Sequence, residues 1–366
     1  MKIGILTYHR AHNYGAMLQA YALQHFLQSR GHQVDFIDYW PKEHAAEYSL
    51  FRPLRGTIVQ RLFSLFSLSA TFVRRALRIW QYKAFARDVL HLSSIISYPQ
   101  HGATIYEHYD CVVVGSDQIW RHHETNGRYL GLDETYFCQT LQYPTRCISY
   151  AASMGVLEMD NKDKQEFRDY LSAFDTIYVR EQGLANLIKS LGFEAFVVLD
   201  PTLLLDKAQW NQLIPQNRYL EERYLLYYEI IDSKEALLFA KQKAKELGCR
   251  LLVMDAFIHT IPRIGHIQLA SPISFMHAIR DAEFLVLTSF HGTAFSLIFE
   301  KQFIATGMRN NADRVQTLLN AVGLHDYYQS TPKNLPSIDY TQVQQKLLLL
   351  RSESQDALIK AIDKNN

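Results

Sequence analysis

The residue best suited to move a proton is His291, in the run Leu287-Thr288-Ser289-Phe290-His291-Gly292-Thr293-Ala294. An apolar, strand-like stretch ends there, and helix-forming sequence begins at Gly292. An imidazole titrates near neutrality, so a histidine just before a helix suits general acid–base work, and the helix N-terminus favours an anion beside it. Ser289, Gly292 and Thr293 are the neighbouring contacts for that anion. A second run, Val179-Arg180-Glu181-Gln182, sets an arginine just past a strand end. Its planar guanidinium can grip both oxygens of a carboxylate or phosphate, while an ion pair with Glu181 or another acid is the plainer structural role.

Three more loops follow strand-like runs. In Val114-Gly115-Ser116-Asp117-Gln118 the small residues allow a ligand to come close, and Asp117 can orient a hydroxyl or a catalytic side chain, or simply make a turn. In Tyr150-Ala151-Ala152-Ser153-Met154-Gly155, Ser153 can face the same space. In residues 9–15 (HRAHNYG), Asn13 and Gly15 stand where helix amides can meet an anion, or where Asn13 merely caps the helix. Other chemistries lack their signatures. No GxxxxGK[ST] loop, HExxH, DxD or GxSxG occurs, and the four cysteines form no CxxC pair. The motifs demand no metal, and the cysteines read as reduced, buried thiols.

These loops need elements to hold them. Residues 2–7, 16–29 and 33–38 read as strand, helix, strand, the start of a parallel sheet. Strand-like runs recur at 111–114, 146–151, 176–179 and 196–199, and the segment from Pro201 to Leu205 reads as a crossing to a second domain. A second series then runs strand 224–230, helix 234–247, strand 250–254, helix from Ser271-Pro272, strand 283–288, helix 292–299 and strand 302–306. An amphipathic helix over 343–362 closes the chain. The chain of 366 residues is thus expected to be α/β, with two Rossmann-like parallel-sheet domains facing a cleft: 1–200, 201–340 and a C-terminal helix over 341–366. Ligands of such sheets bind beyond the carboxyl ends of the strands, where all five loops lie.

Composition bounds the rest. With 48% hydrophobic and 20% charged residues the chain is globular, and a net charge of +1 gives no argument for nucleic acid. The N-terminal apolar run is too short for a signal peptide and no stretch approaches the ~20 apolar residues of a membrane span, so a cytoplasmic protein is expected. One segment departs from this average. The insertion at about 48–90 holds eight basic residues, Arg52, Arg55, Arg61, Arg74, Arg75, Arg78, Lys83 and Arg87, with no acid between 48 and 87 and many apolar and aromatic residues. It reads as a helix pair packed on the domain with its arginines solvated, or as a surface for peripheral contact with an anionic membrane.

Taken in order, residues 3–23, 113–120 (VVGSDQIW), 150–155 (YAASMG), 179–182 (VREQ), 198–203 (VLDPTL) and 287–299 (LTSFHGTAFSLIF) resemble the polysaccharide pyruvyl transferase family. The resemblance implies a fold of the type called GT-B, phosphoenolpyruvate as donor, no cofactor, and a pyruvate ketal placed on two hydroxyls of a sugar or lipid-linked oligosaccharide for a bacterial surface polysaccharide. His291 matches the family's catalytic histidine, and Arg180 an arginine that holds the donor. Ser289 is a departure, because some members carry a donor-binding arginine there. Arg309 or Arg314 is the expected replacement. Asp117 or Glu181 is expected to orient His291 or a sugar hydroxyl, with Ser116 and Ser153 in support. A sugar-nucleotide glycosyltransferase, or a non-catalytic sugar- or lipid-binding protein, would use the same loops.

Overall fold

The computed structural model describes residues 1–366 except 51–56, 93–96, 126–127, 262, 264, 309–311 and 364–366. Apolar runs bounded by polar turns become short buried strands, and the stretches with helical periodicity lie between them. The N-terminal half contains β1 (Lys2–Leu6), α1 (Tyr14–Ser29), β2 (Gln33–Phe36), α2 (Lys42–Tyr48), α3 (Ile58–Asp88), β3 (Cys111–Val114), a hairpin of β4 (His123–Thr125) and β5 (Arg128–Gly131), β6 (Arg146–Ala152), α4 (Asn161–Leu171), β7 (Thr176–Val179), α5 (Gln182–Ser190) and β8 (Phe196–Val197). The second half contains α6 (Lys207–Asn211), β9 (Tyr224–Glu229), α7 (Lys234–Glu246), β10 (Arg250–Asp255), β11 (His266–Ile267), α8 (Pro272–Asp281), β12 (Phe284–Leu287), α9 (Phe290–Ile298), β13 (Phe303–Thr306), α10 (Ala312–Val322), β14 (Tyr328–Gln329) and α11 (Tyr340–Asp363).

Two six-stranded sheets result, ordered β2-β1-β3-β6-β7-β8 and β11-β10-β9-β12-β13-β14, with every pairing parallel. Each order reverses direction once, at β1/β3 in the first sheet and at β9/β12 in the second. Those switch points are where open α/β sheets leave a crevice for a ligand. The fold is therefore the expected pair of Rossmann-like units. Central strands are buried along their whole length, as in β3 (CVVV) and β9 (YLLYYE), because helices cover both faces.

One apolar core joins the halves. Tyr14, on the first turn of α1, stacks on Phe275 of α8 with ring centroids 4.8 Å apart, and the same buried cluster runs from Ile3 to Leu226 and Phe295. Helix α11 returns to the first sheet. Arg146 donates to the Ala361 and Ile362 carbonyls, Tyr178 Oη to that of Ala357, and Ser354 Oγ accepts from the Leu199 amide. The Pro201–Leu204 turn, read as a crossing, is a buried 3-10 helix beneath α1 and α11.

The insertion corrects the sequence reading in two ways. Its long part is a single 31-residue helix, α3, rather than a helix pair. Three of its arginines also point inward where solvated ones were expected. Arg74 donates to Gln268 Oε1 (2.8 Å) and the Thr260 carbonyl (3.1 Å), Arg75 to that of Ser49, and Arg78 to those of His12 and Ala256. Helix α3 thus straps the first half to the β10–α8 loop of the second. Arg52 and Arg55 lie outside the described residues.

Candidate active site

The site forms where β3, β6 and β7 of the first sheet end and α9 of the second begins. Residues after β3 and within β6 hold unusual backbone. Gly115 has φ +132 and its Cβ position lies 2.3 Å from the Tyr150 carbonyl oxygen, so no side chain fits there. Asp117 (φ +74) and Ala151 (φ +51) adopt left-handed conformations that cost a non-glycine residue about 1 kcal/mol or more. The Ser153 amide donates to the Asp117 carbonyl and the Trp120 amide to that of Ser153, lacing the two segments together. Strain held by such lacing is a feature of functional sites.

Asp200 is the hub of the cluster. Its Oδ1 accepts from the Thr202 amide (3.0 Å) and Thr202 Oγ1 (2.7 Å), and its Oδ2 from Ser116 Oγ (3.0 Å) and Arg180 Nη1 (2.8 Å). His291 Nε2 stands 3.7 Å from the same Oδ2, an ion-pair separation too long for a hydrogen bond. Asp200 and Arg180 are 1% and 3% exposed. Burial pushes the Asp200 carboxyl up, but His291, Arg180 and Thr202 outweigh it and hold it well below the ordinary carboxylate range. The group is a buried anion facing His291 and Arg180.

His291 does not precede its helix. It occupies the first turn of α9, because Ser289 is the N-cap: Ser289 Oγ accepts from the Gly292 amide at 3.2 Å. The expectation of a histidine just before the helix is corrected by that two-residue shift of the helix start. Ser289 Oγ is thereby engaged in capping, and Thr293 Oγ1 donates to the Ser289 carbonyl. Gly15 explains how the imidazole fits. A Cβ there would lie 1.9 Å from His291 Nδ1, so the first turn of α1 and the histidine ring share one space only because residue 15 is glycine. Asn13 serves as a cap, with Oδ1 accepting from the Gly15 and Ala16 amides at 2.9 and 3.3 Å.

Arg180 lies against the Phe290 ring, its guanidinium carbon 4.7 Å from the centroid. Nε makes no hydrogen bond, and Nη2 has only a 3.8 Å contact with Asp117 Oδ1. Glu181 accepts from Ser153 Oγ (2.8 Å) and the Met154 amide (3.1 Å) through Oε1, while its Oε2 makes no hydrogen bond. Burial raises the Glu181 carboxyl, against the pull of Arg180 and Arg314. Arg314, on α10, is pushed down to about 10, by burial and by the nearby Arg180 charge, and its Nε makes no hydrogen bond. It stays cationic at neutral pH. A cavity of about 490 Å³ opens onto Arg180, Asp200, Phe290 and Arg314, with Phe196, Leu318 and Leu350 among its apolar walls. His291 adjoins it through Asp200. Two buried guanidiniums with unused donors beside a cavity form a place for an anion with oxygens on two sides.

The structure thus brings together Arg180, Ser116, Asp117, Glu181, Ser153, Arg314, Gly15 and His291. The expected orienting partner is corrected: the carboxylate paired with His291 is Asp200, while Asp117 faces Arg180 and Glu181 holds Ser153. Asp200 had no role in the sequence reading, although Asp-Pro-Thr has the form of a side chain capping a tight turn. Phe290 was also passed over. Arg309 lies outside the described residues.

Comparison with known proteins places this geometry in context. No curated protein sequence matches. Among solved structures, the chain is similar to UDP-GlcNAc 2-epimerase from Neisseria meningitidis (10% identity, all of both chains, TM-score 0.47). It is also similar to the epimerase of that name from Methanocaldococcus jannaschii (12%, all of both chains, 0.46) and to the glycosyltransferase SnogD from Streptomyces nogalater (12%, 98% of each chain, 0.38). At such identities and scores these likenesses decide nothing about substrate or reaction. The family comparison does decide membership. The model of polysaccharide pyruvyl transferases matches residues 13–310, from the cap of α1 past His291, Arg180 and Asp200, and the chain belongs to that family.

Proposed function

We propose that this chain transfers the pyruvyl group of phosphoenolpyruvate to two hydroxyls of a sugar, forming a cyclic ketal and releasing phosphate. What carries the reading is the pair of under-used guanidiniums, Arg180 and Arg314, beside the His291–Asp200 pair. Phosphoenolpyruvate presents a carboxylate and a phosphate on the same carbon, and two planar cations suit them. Arg314 supplies the second positive charge that some members carry where this chain has Ser289. An anion between the two arginines also offsets the repulsion that lowers Arg314.

The protonated imidazole of His291, held opposite the Asp200 carboxylate, gives its proton to the methylene carbon of the donor. That carbon becomes a methyl group, and positive charge develops at the carbon bearing the phosphate. One sugar hydroxyl attacks that carbon and loses its proton. The C–O bond to phosphate then breaks, phosphate departs held by the arginines, and the second hydroxyl closes the ketal with loss of its own proton. General acid–base assistance of this kind contributes about 10²–10⁴-fold. Neither the arginines nor the imidazole needs a metal for these steps. The reaction places the enzyme in polysaccharide assembly, on a sugar or lipid-linked oligosaccharide.

The test is phosphate release from phosphoenolpyruvate with galactose-, glucose- and mannose-containing acceptors. Acceptor-dependent release by the native protein, abolished in His291→Ala, is the expected result. Release independent of acceptor, or none alongside binding of a nucleotide-sugar, would reject pyruvyl transfer in favour of another sugar transferase.

A further inference from the structure

Helix α3 inverts the usual arrangement of a surface helix, which buries its apolar stripe and exposes its charges. From Ser67 to Gln81 its inward face is polar, before Tyr82 and Phe85 enter the core. Ser67 Oγ lies 2.7 Å from Thr260 Oγ1, Arg74 and Arg78 donate across to the second half of the molecule, and Gln81 donates to the Leu269 carbonyl. Its outward face is apolar. Ile58, Val59, Leu65, Phe66, Phe72, Val73, Leu77 and Trp80 are 42–77% exposed. At 3.6 residues per turn they fall within an arc of roughly 140° and run about 33 Å along the helix.

The loop that α3 grips also exposes apolar side chains: Phe257 and Ile261, beside Ala256 and Thr260, are 62% and 77% exposed. Scattered exposed apolar side chains are ordinary, but eight of them along one face of a single helix mark a contact surface.

Charge says what covers it. Residues 48–87 contain eight basic side chains and no carboxylate. Arg61 is exposed at the edge of the stripe, Lys83 is exposed in line with it beyond Trp80, and Arg87 farther on is paired with Asp88. Pairing α3 with α3 of a second copy, in either direction, would bring these cations together with one acid on the helix, Asp88, already paired with Arg87. An anionic bilayer meets both properties: aromatic and aliphatic side chains enter the headgroup–acyl boundary while lysine and arginine meet lipid phosphates. No described helix is long and apolar enough to cross a membrane.

We propose that the outward face of α3 docks the protein peripherally on an anionic phospholipid surface, α3 lying in the plane of the interface. The surface is independent of the proposed reaction, and vesicle binding is measured without donor or acceptor. Full-length protein is mixed with vesicles of phosphatidylcholine alone, or with phosphatidylglycerol at a third of the lipid, and sedimented at low and high salt. Binding to the anionic vesicles at least tenfold above the neutral ones, reduced several-fold by 0.5 M salt, is expected. Phe66→Glu/Trp80→Glu should lose at least tenfold of that binding, with unchanged circular dichroism and unchanged phosphate release on a soluble acceptor. Equal binding to neutral vesicles, or none to anionic vesicles at low salt, would overturn the proposal. Sedimentation as a dimer that the double substitution makes monomeric, without vesicle binding, would assign the face to a second copy instead.

Discussion

Two of the clusters of histidine, aspartate and arginine in the chain differ in what is left over. In the first, after β1, His9 Nδ1 lies 2.8 Å from the Thr7 carbonyl oxygen and Nε2 2.9 Å from Asp38 Oδ1, while Arg10 holds both Asp38 oxygens at 2.5 and 2.6 Å. Its polar atoms face one another. In the second, around Asp200, the carboxylate is equally saturated, but among the described residues Arg180 Nε and Nη2, His291 Nε2 and Arg314 Nε make no hydrogen bond, and a cavity stands beside the two arginines. Buried polar groups are almost always satisfied. The residue types are the same, so unmet bonding, not composition, separates a structural cluster from a candidate active site.

The contrast is broken most sharply at the histidines. His291→Ala should lower kcat for phosphate release by about 10²–10⁴-fold with the fold intact. His9→Ala should leave kcat within a few-fold and lower the urea midpoint, because it opens a buried cluster; an equal loss of activity would erase the distinction. The aspartates come next. Asp200→Asn should reduce kcat about tenfold to a hundredfold with little change in KM for phosphoenolpyruvate, since the Ser116, Arg180 and His291 side chains lose the carboxylate that gathers them. Asp38→Asn should leave kcat within a few-fold. Arg314→Gln should then raise KM for phosphoenolpyruvate about tenfold, a loss of ~1.4 kcal/mol, with kcat less affected.

The smallest effect separates the clusters from the solvent side. Burial pushes both the Asp38 and the Asp200 carboxyl up, but at Asp38 the hydrogen bonds from His9 and Arg10 prevail, and at Asp200 His291 and Arg180 do. Both folded values therefore lie below the unfolded one. Stability from these groups is complete above about pH 4, the unfolded carboxylate value, and falls as the pH drops through and below it. Urea midpoints measured between pH 7 and pH 3 should decline over that range, and Asp38→Asn should flatten the decline. A midpoint that rises on acidification would contradict the charge state assigned to both.

The sequence made much of this legible. Alternation of buried runs and helical periodicity predicts both parallel sheets, and Ser271-Pro272 marks the start of α8. Small residues at strand ends lead to Ser116, Asp117, Ser153, Arg180 and His291. What it withholds depends on distance along the chain. The strand orders follow from pairings between remote segments, and Asp200 meets His291 across 91 positions of sequence inside a segment that reads as a linker. Ser289 looks like an arginine lost from a donor site, yet its hydroxyl caps α9 and fixes where His291 sits. In α3, apolar and basic residues alternate so that either face could turn inward, and only the partners on the β10–α8 loop decide that the arginines do.

The central claim is that protonation at carbon by the His291 site drives pyruvyl transfer. Running the reaction in D₂O with an acceptor that turns over, then returning the product to H₂O and weighing it, tests this directly. The account predicts a ketal whose methyl group retains one deuterium, formed by the native protein and not by His291→Ala. A ketal methyl without deuterium, or the same product from the substituted protein, would contradict it.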